Sequence, residues 1–414
     1  MTRTDLIRAF ARIGLLSFGG PAAQIALMHR EIVEDRRWVT EKEYLSALSF
    51  CMLLPGPEAM QLATWIGWRK HGTLGGLIAG GLFVLPGAVI VLALSMIYAA
   101  WGQVPVVAAL FTGVQAAVLA VVIEALLRVS KRALKSRIHW IIAITAFCAL
   151  FFFAVPFPII ILAAGLWGFA TTPTTGAVAA IGPAPWPESL RAAVIWGAVW
   201  LLPLACLQLF LPGILAEIAL FFSKLAVLTF GGAYAVLTWM AQDVVQQKGW
   251  LTLPQMIDGL GLAETTPGPL ILVTQFVGYL AAFKQGGIWM GIAGALITLW
   301  MTFTPCFLWI FAGAPWISRL TAAPRLAGAL QAITAAVVGV IANLSLWFGL
   351  HVLFGKITTT TFGPMQVLVP DLTSINPLAA ALAIAAGYLL LWRHWSLPLV
   401  LGLCALTSAA VAAI

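Results

Sequence analysis

Ser17-Phe18-Gly19-Gly20-Pro21 and Leu54-Pro55-Gly56-Pro57-Glu58 both come back later in the chain, as Thr229-Phe230-Gly231-Gly232 and Thr266-Pro267-Gly268-Pro269. The offset is constant: Phe18 to Phe230, Trp38 to Trp250, Thr40 to Thr252 and Pro55 to Pro267 are each 212 residues apart. Farther on it becomes 219, which aligns Pro86 with Pro305 and Ala116-Ala117-Val118 with Ala335-Ala336-Val337. Four anchors at one spacing make the chain two homologous halves. Repeats of this size in an apolar chain point to a transporter built from related halves.

The composition sets the medium. Of 414 residues, 62% are hydrophobic and 9% charged, and the mean hydropathy of +1.02 excludes a soluble enzyme, which needs polar surface facing water. The apolar runs are long and do not alternate, so the fold class expected is an all-α polytopic membrane protein of about 13 apolar segments, not a β-barrel. The net charge of +8 is not gathered on a soluble face, so no nucleic-acid partner is expected. The five cysteines lie far apart in separate apolar segments and read as core residues. No cleavable signal peptide is expected at the N-terminus, and no metal or other cofactor is implied.

Each half reads as the same series. A first segment is broken by Phe-Gly-Gly (7–28 and 219–240), a Trp-bearing amphipathic stretch follows, and a segment broken by Pro-Gly-Pro comes next (46–69 and 258–283). Two long spans and two short helices around a proline close each half. The domains are therefore 1–172, a linker with one unpaired helix at 173–212, and 213–414. That odd helix inserts the second half upside down. The basic residues agree with inversion. Arg128, Lys131, Arg132, Lys135 and Arg137 crowd a loop whose counterpart, 351–376, carries only Lys356; conversely the uncharged turns near 100–105 and 156–158 match turns bearing Arg319, Arg325 and Arg393. The N-terminus is expected in the cytoplasm and the C-terminus outside. The charged loop 29–43 fits this scheme if the first two segments dip into the bilayer and return; a neutralised, translocated loop is the alternative.

The breaks carry the chemistry. In hydrocarbon an interrupted helix leaves backbone groups that cost several kcal/mol each unless protein, water or a ligand satisfies them. Half-helix N-termini offer free N–H donors and partial positive charge, a ready anion site. Glycines that only allow close helix packing are the alternative reading. The candidate substrate-binding residues are Ser17, Gly19, Gly20, Gln24, Gly56 and Gln61 in the first half, and Thr229, Gly231, Gly232, Thr266 and Gly268 in the second. Arg12 and Lys224 join them, each six residues before the phenylalanine of its break. Arg12 and Gly19 share a helix face about 10 Å apart. Glu58 and Glu264 lie in apolar stretches beside the Pro-Gly-Pro breaks and are candidate proton-coupling groups. Glu124 reads as the (i, i+4) partner of Arg128.

Ser17-Phe18-Gly19-Gly20-Pro21, Trp38, the run from Leu54-Pro55-Gly56-Pro57-Glu58 to Ala63, and Gly67-Trp68-Arg69 resemble the signature of the chromate ion transporter family in its long two-domain form. Gly249-Trp250-Leu251 and the second-half breaks agree with it, although Ala233 stands where the first half has Pro21. The resemblance implies an inner-membrane secondary carrier that exports chromate and confers resistance. The physical reading adds protons as the coupling ion, driven by the proton motive force. The partners expected are chromate or sulfate, protons, lipid and a second copy of the chain as a homodimer. A carrier of sulfate or another oxyanion, and an uncoupled anion channel, remain alternatives.

Overall fold

The computed structural model describes residues 2–18, 20–102, 104–173, 186–230, 233–321 and 323–412. The first half runs α1 (Arg3–Leu16), α2 (Gly20–His29), a π-helical turn (Arg30–Asp35), α3 (Glu41–Leu53), α4 (Glu58–Trp101), α5 (Pro105–Ala133), α6 (Arg137–Phe153) and α7 (Phe157–Thr171). Then α8 (Trp186–Phe210) leads to the second half: α9 (Ile214–Leu228), α10 (Ala233–Gln242), a π-helical turn (Asp243–Gln247), α11 (Leu253–Thr265), α12 (Val273–Gly313), α13 (Ile317–Thr321), α14 (Pro324–Leu353), α15 (Pro377–Leu391) and α16 (Leu397–Ala412). Among the described residues, five helical stretches are long and apolar enough to cross a membrane, and four shorter apolar helices accompany them. Side chains such as Ile384, 75% exposed, face outward where lipid replaces water. This is a multi-pass membrane protein.

The repeat reaches the details of the local structure. Thr40 and Thr252 each close a capping box, with Glu43 and Gln255 respectively. Arg36 lies 5.4 Å over the Trp38 ring and Lys248 lies 4.9 Å over Trp250, so the matched tryptophans seat matched cations. Both π-helical turns fall at matched positions.

α4 and α12 are each two arms folded into a tight hairpin. The fold points are His71–Gly72 and Gly286–Gly287, where Gly72 (φ 63°) and Gly287 (φ 70°) take a left-handed conformation that a side chain resists. The arms touch through small residues: Gly67 meets Gly75 and Ala79, and Gly278 meets Gly294 and Thr298. The long arm 73–101 extends about 43 Å, ample for a hydrocarbon core, whereas α1 covers about 21 Å. Pro86 and Pro305 interrupt the long arms. Pro86 frees the carbonyl of Leu82, and Gly14 of α1 packs directly on that carbonyl, where a Cβ would overlap it.

The helices form two packed sets. In one, α4 and α12 pack on each other, with α1 on α4 and with α8 and α9 on α12. In the other, α5 and α14 pack together, α5 carrying α15 and α16 and α14 carrying α6 and α7. α10 and α11 join the sets, with α11 on α5 and α16 and α10 on α14. α3 makes no packing of similar extent on α14 or α7.

One feature differs from the sequence reading. The stretch 351–376 is not a plain loop: β1 (Ile357–Phe362) and β2 (Met365–Pro370) pair antiparallel, Phe362 opposite Met365. The charged loop 29–43 lies beside α1 and the α4 fold point, with Arg12 paired to Glu31 at 3.3 Å and Arg69 to Glu43 at 3.5 Å.

Candidate functional site

The breaks of the two halves close on each other. The Gly56 N–H donates to the Thr229 carbonyl at 2.7 Å, and the Gly268 N–H donates to the Ser17 carbonyl at 2.8 Å. Ser17 matches Thr229 and Gly56 matches Gly268, so these are one bond made twice. Each Pro-Gly-Pro turn needs its glycine, since Gly56 has φ 122° and Gly268 φ 97°. Each also packs on the other half's long arm: Cys306 Sγ lies 2.9 Å from a Cβ position on Gly56, and Gly87 Cα lies 3.5 Å from one on Gly268. Cys306 and Gly87 are matched positions. The junction is therefore built jointly, with helix N-termini of both halves starting at it.

The side chains named from the sequence mostly hold the breaks in place. The Ser17, Thr229 and Thr266 hydroxyls donate to Ile13, Leu225 and Ala263 carbonyls at 2.6, 2.7 and 3.2 Å. Gln24 Nε2 donates to the Gly268 carbonyl at 2.7 Å, and Gln61 Nε2 to that of Pro55 at 2.7 Å. The Oε1 atoms of both glutamines are buried with no partner. Gly20 opens α2 with φ 79°. Gly19, Gly231 and Gly232 lie outside the described residues.

Arg12 and Lys224 do not reach into the junction. The Arg12 side chain is 61% exposed and bonds through Nε to Glu31, which is 4% exposed and also takes Arg36 Nη2 at 3.4 Å. Lys224 is exposed and lies within electrostatic reach of Asp243, the residue that matches Glu31. Each half thus sets a cation against an acid of its own π-helical turn.

The two coupling candidates occupy different places. Glu58 is the half-buried first residue of α4, within electrostatic reach of Arg132. Glu264 is buried in the last turn of α11 and lines a cavity of about 270 Å³ with Glu124, Arg128, His394 and Trp395. Glu124 and Arg128 form the expected ion pair. A second cavity, about 330 Å³, is lined by Trp239, Asp243, Asn343, Trp347 and Thr359 of the hairpin, among others. Asn343 and Trp347 are the counterparts of Glu124 and Arg128, so each half contributes one cavity wall; one is ionic and the other largely neutral. Among the described residues no cluster suited to a metal ion occurs.

One polar group escaped the sequence reading. Asp258, 4% exposed on α11, accepts from the Tyr98 hydroxyl and from Gln115 Nε2, both at 2.7 Å. A lone aspartate within Leu253–Thr265 was its signal.

The chromate transporter family model matches residues 4–169 and 216–409, nearly all of both halves. The chain belongs to this family. Among curated members of the chromate transporter family, it is 33% identical to a chromate transport protein of Pseudomonas aeruginosa, over 95% of this chain and 88% of that one. It is 30% identical to one of Cupriavidus metallidurans, over 82% and 81% of the two chains. It is also 30% identical to a probable chromate transport protein of Synechococcus elongatus, over 82% of each chain. No solved structure matches this chromate transporter family member.

Proposed function

We propose that this protein is a secondary active transporter that exports chromate across the bacterial inner membrane, is driven by the proton motive force, and confers chromate resistance. The observation that carries the proposal is the pair of matched bonds, Gly56 to Thr229 and Gly268 to Ser17. They gather the helix N-termini of both halves at one junction, and amides and dipoles so gathered suit a tetrahedral dianion. The halves are proposed to be of opposed orientation, with re-entrant first hairpins, a cytoplasmic N-terminus and a periplasmic C-terminus. The junction then alternates between the two faces.

In this mechanism the amides of Gly19, Gly20, Gly231 and Gly232 hold the anion. Ser17, Gln24, Gly56, Gln61, Thr229, Thr266 and Gly268 fix the breaks around it. Arg12 and Lys224 attract chromate at the mouth, where the incoming dianion competes with Glu31 or Asp243 for the cation. Glu58 and Glu264 exchange the coupling proton. The relatives named as chromate transport proteins support chromate as the cargo.

Chromate flux into inside-out vesicles holding the purified protein, with and without an imposed pH gradient and with excess sulfate, tests this reading. Gradient-driven accumulation that sulfate barely affects is the expected result. Passive equilibration alone would replace it with a channel, and full suppression by sulfate with a general oxyanion carrier.

A further inference from the structure

Asp258 ties three helices from two halves together. Its Oδ2 accepts from Tyr98 in the last turns of α4, and its Oδ1 accepts from Gln115 on α5. α4 and α5 belong to different packed sets, and α11 lies between them. The carboxylate is the clasp.

Among the described residues no cation bonds to it. α11 packs on α4, α5, α12, α16 and the 3-10 turn Leu270–Leu272. Of the ionisable groups on these elements, the Tyr98 phenol of α4 bonds to Asp258, and Lys284 of α12 meets α11 one turn back, at Gln255. The Lys284 ammonium is already engaged by the Trp250 carbonyl at 2.6 Å and Gln255 Oε1 at 3.0 Å. Glu124 and Arg128 of α5 pair with each other at the Glu264 end of α11, and α16 presents no charge, only Cys404. A buried carboxylate held only by neutral donors can take two forms, ionised with both bonds made or protonated with one bond reversed.

The two forms differ in how strongly they hold. The ionised carboxylate accepts from both donors. A proton on Oδ2 is received by Tyr98, which reverses its hydroxyl, while Oδ1 goes on accepting from Gln115; a proton on Oδ1 would oblige the Gln115 amide to turn over. Protonation therefore replaces a charged acceptor by a neutral one and weakens the hold on α4 and α5.

The arrangement occurs once. The matched positions are Ser46, Ile317 and Thr334, which cannot form it. A group present in one half acts in only one of the two conformations that exchanged halves would produce.

From this geometry we propose that Asp258 is a proton-binding site whose charge state sets how tightly α11 is held on α4 and α5. This rests on the coupled-carrier reading above, and it adds a residue to that reading which neither Glu58 nor Glu264 replaces.

The test is infrared titration of the carboxyl stretch in the full-length protein in liposomes, together with chromate flux. Wild type is expected to show a titrating band that Asp258→Asn lacks. Tyr98→Phe keeps the carboxyl but removes one donor, so it should move the midpoint of that band. Asp258→Asn should lose most of the flux added by a pH gradient while keeping gradient-free chromate exchange. A band unchanged in Asp258→Asn, an unmoved midpoint in Tyr98→Phe, or wild-type gradient response in Asp258→Asn overturns the proposal. A titrating band in a protein that moves no chromate in either assay would sink the transport reading and leave the proton site standing.

Discussion

A methyl group added to Gly56 would come within 2.9 Å of Cys306 Sγ and 2.7 Å of Gln61 Nε2, at a backbone angle, φ 122°, that side chains resist. Gly56→Ala should therefore destabilise the protein by about 1–3 kcal/mol through strain and overpacking. Gly81→Ala, which meets nothing within 4 Å, should be neutral. Thermal unfolding of the two variants in detergent checks the contrast; equal melting temperatures would refute it.

Gln24→Leu removes the donor that serves the Gly268 carbonyl and leaves that carbonyl buried. The expected loss is about 1–3 kcal/mol, the penalty of an orphaned buried acceptor. Gln24→Glu should be no better, because a carboxylate offers no N–H. A chemical denaturation midpoint unchanged in Gln24→Leu would show that another donor reaches the break.

Arg12 is mostly exposed, so its pair with Glu31 is worth at most about 1 kcal/mol. Glu31 also keeps Arg36 at 3.4 Å. Arg12→Gln should leave the melting temperature nearly unchanged while lowering chromate flux severalfold. If flux is retained, the proposed role of the cation at the mouth is wrong.

The Glu43 carboxyl lies below its ordinary value of 4.5 because the Thr40 backbone and hydroxyl donate to its charged form. That contribution is complete above pH 4.5 and is lost as pH falls through the lowered folded value. Thr40→Ala should cost about 1 kcal/mol near neutrality and less in acid, so the melting temperatures of wild type and variant should converge below pH 4.5. Parallel curves would assign the effect of Thr40 to something other than the cap.

Much of this was legible because it is local. The four breaks and the Glu124–Arg128 pair follow from residue types at short spacing, and the repeat from one constant offset. What the sequence could not give was partnership across the halves. Nothing near Gly56 in the chain says that its amide meets Thr229, and nothing near Asp258 points to Tyr98 and Gln115. Arg12 shows the limit from the other side. Its helix face was readable, but the loop that returns Glu31 beside α1 turns the guanidinium outward. The β-hairpin did leave a signal, a β-branched run at Thr358–Thr361 ahead of Gly363-Pro364. It is weak beside the apolar helices on either side.

The matched bonds across the junction have a consequence for how such a chain is assembled. A half on its own would bury the amide of Gly56 and the carbonyl of Ser17, or their counterparts, with nothing to receive them. The two halves are therefore required in equal number, and what joins them is the junction, not the connecting peptide. Residues 1–172 and 213–414 made as separate chains should each be recovered only in the company of the other. Fusion into one gene then fixes a stoichiometry that the backbone already demands.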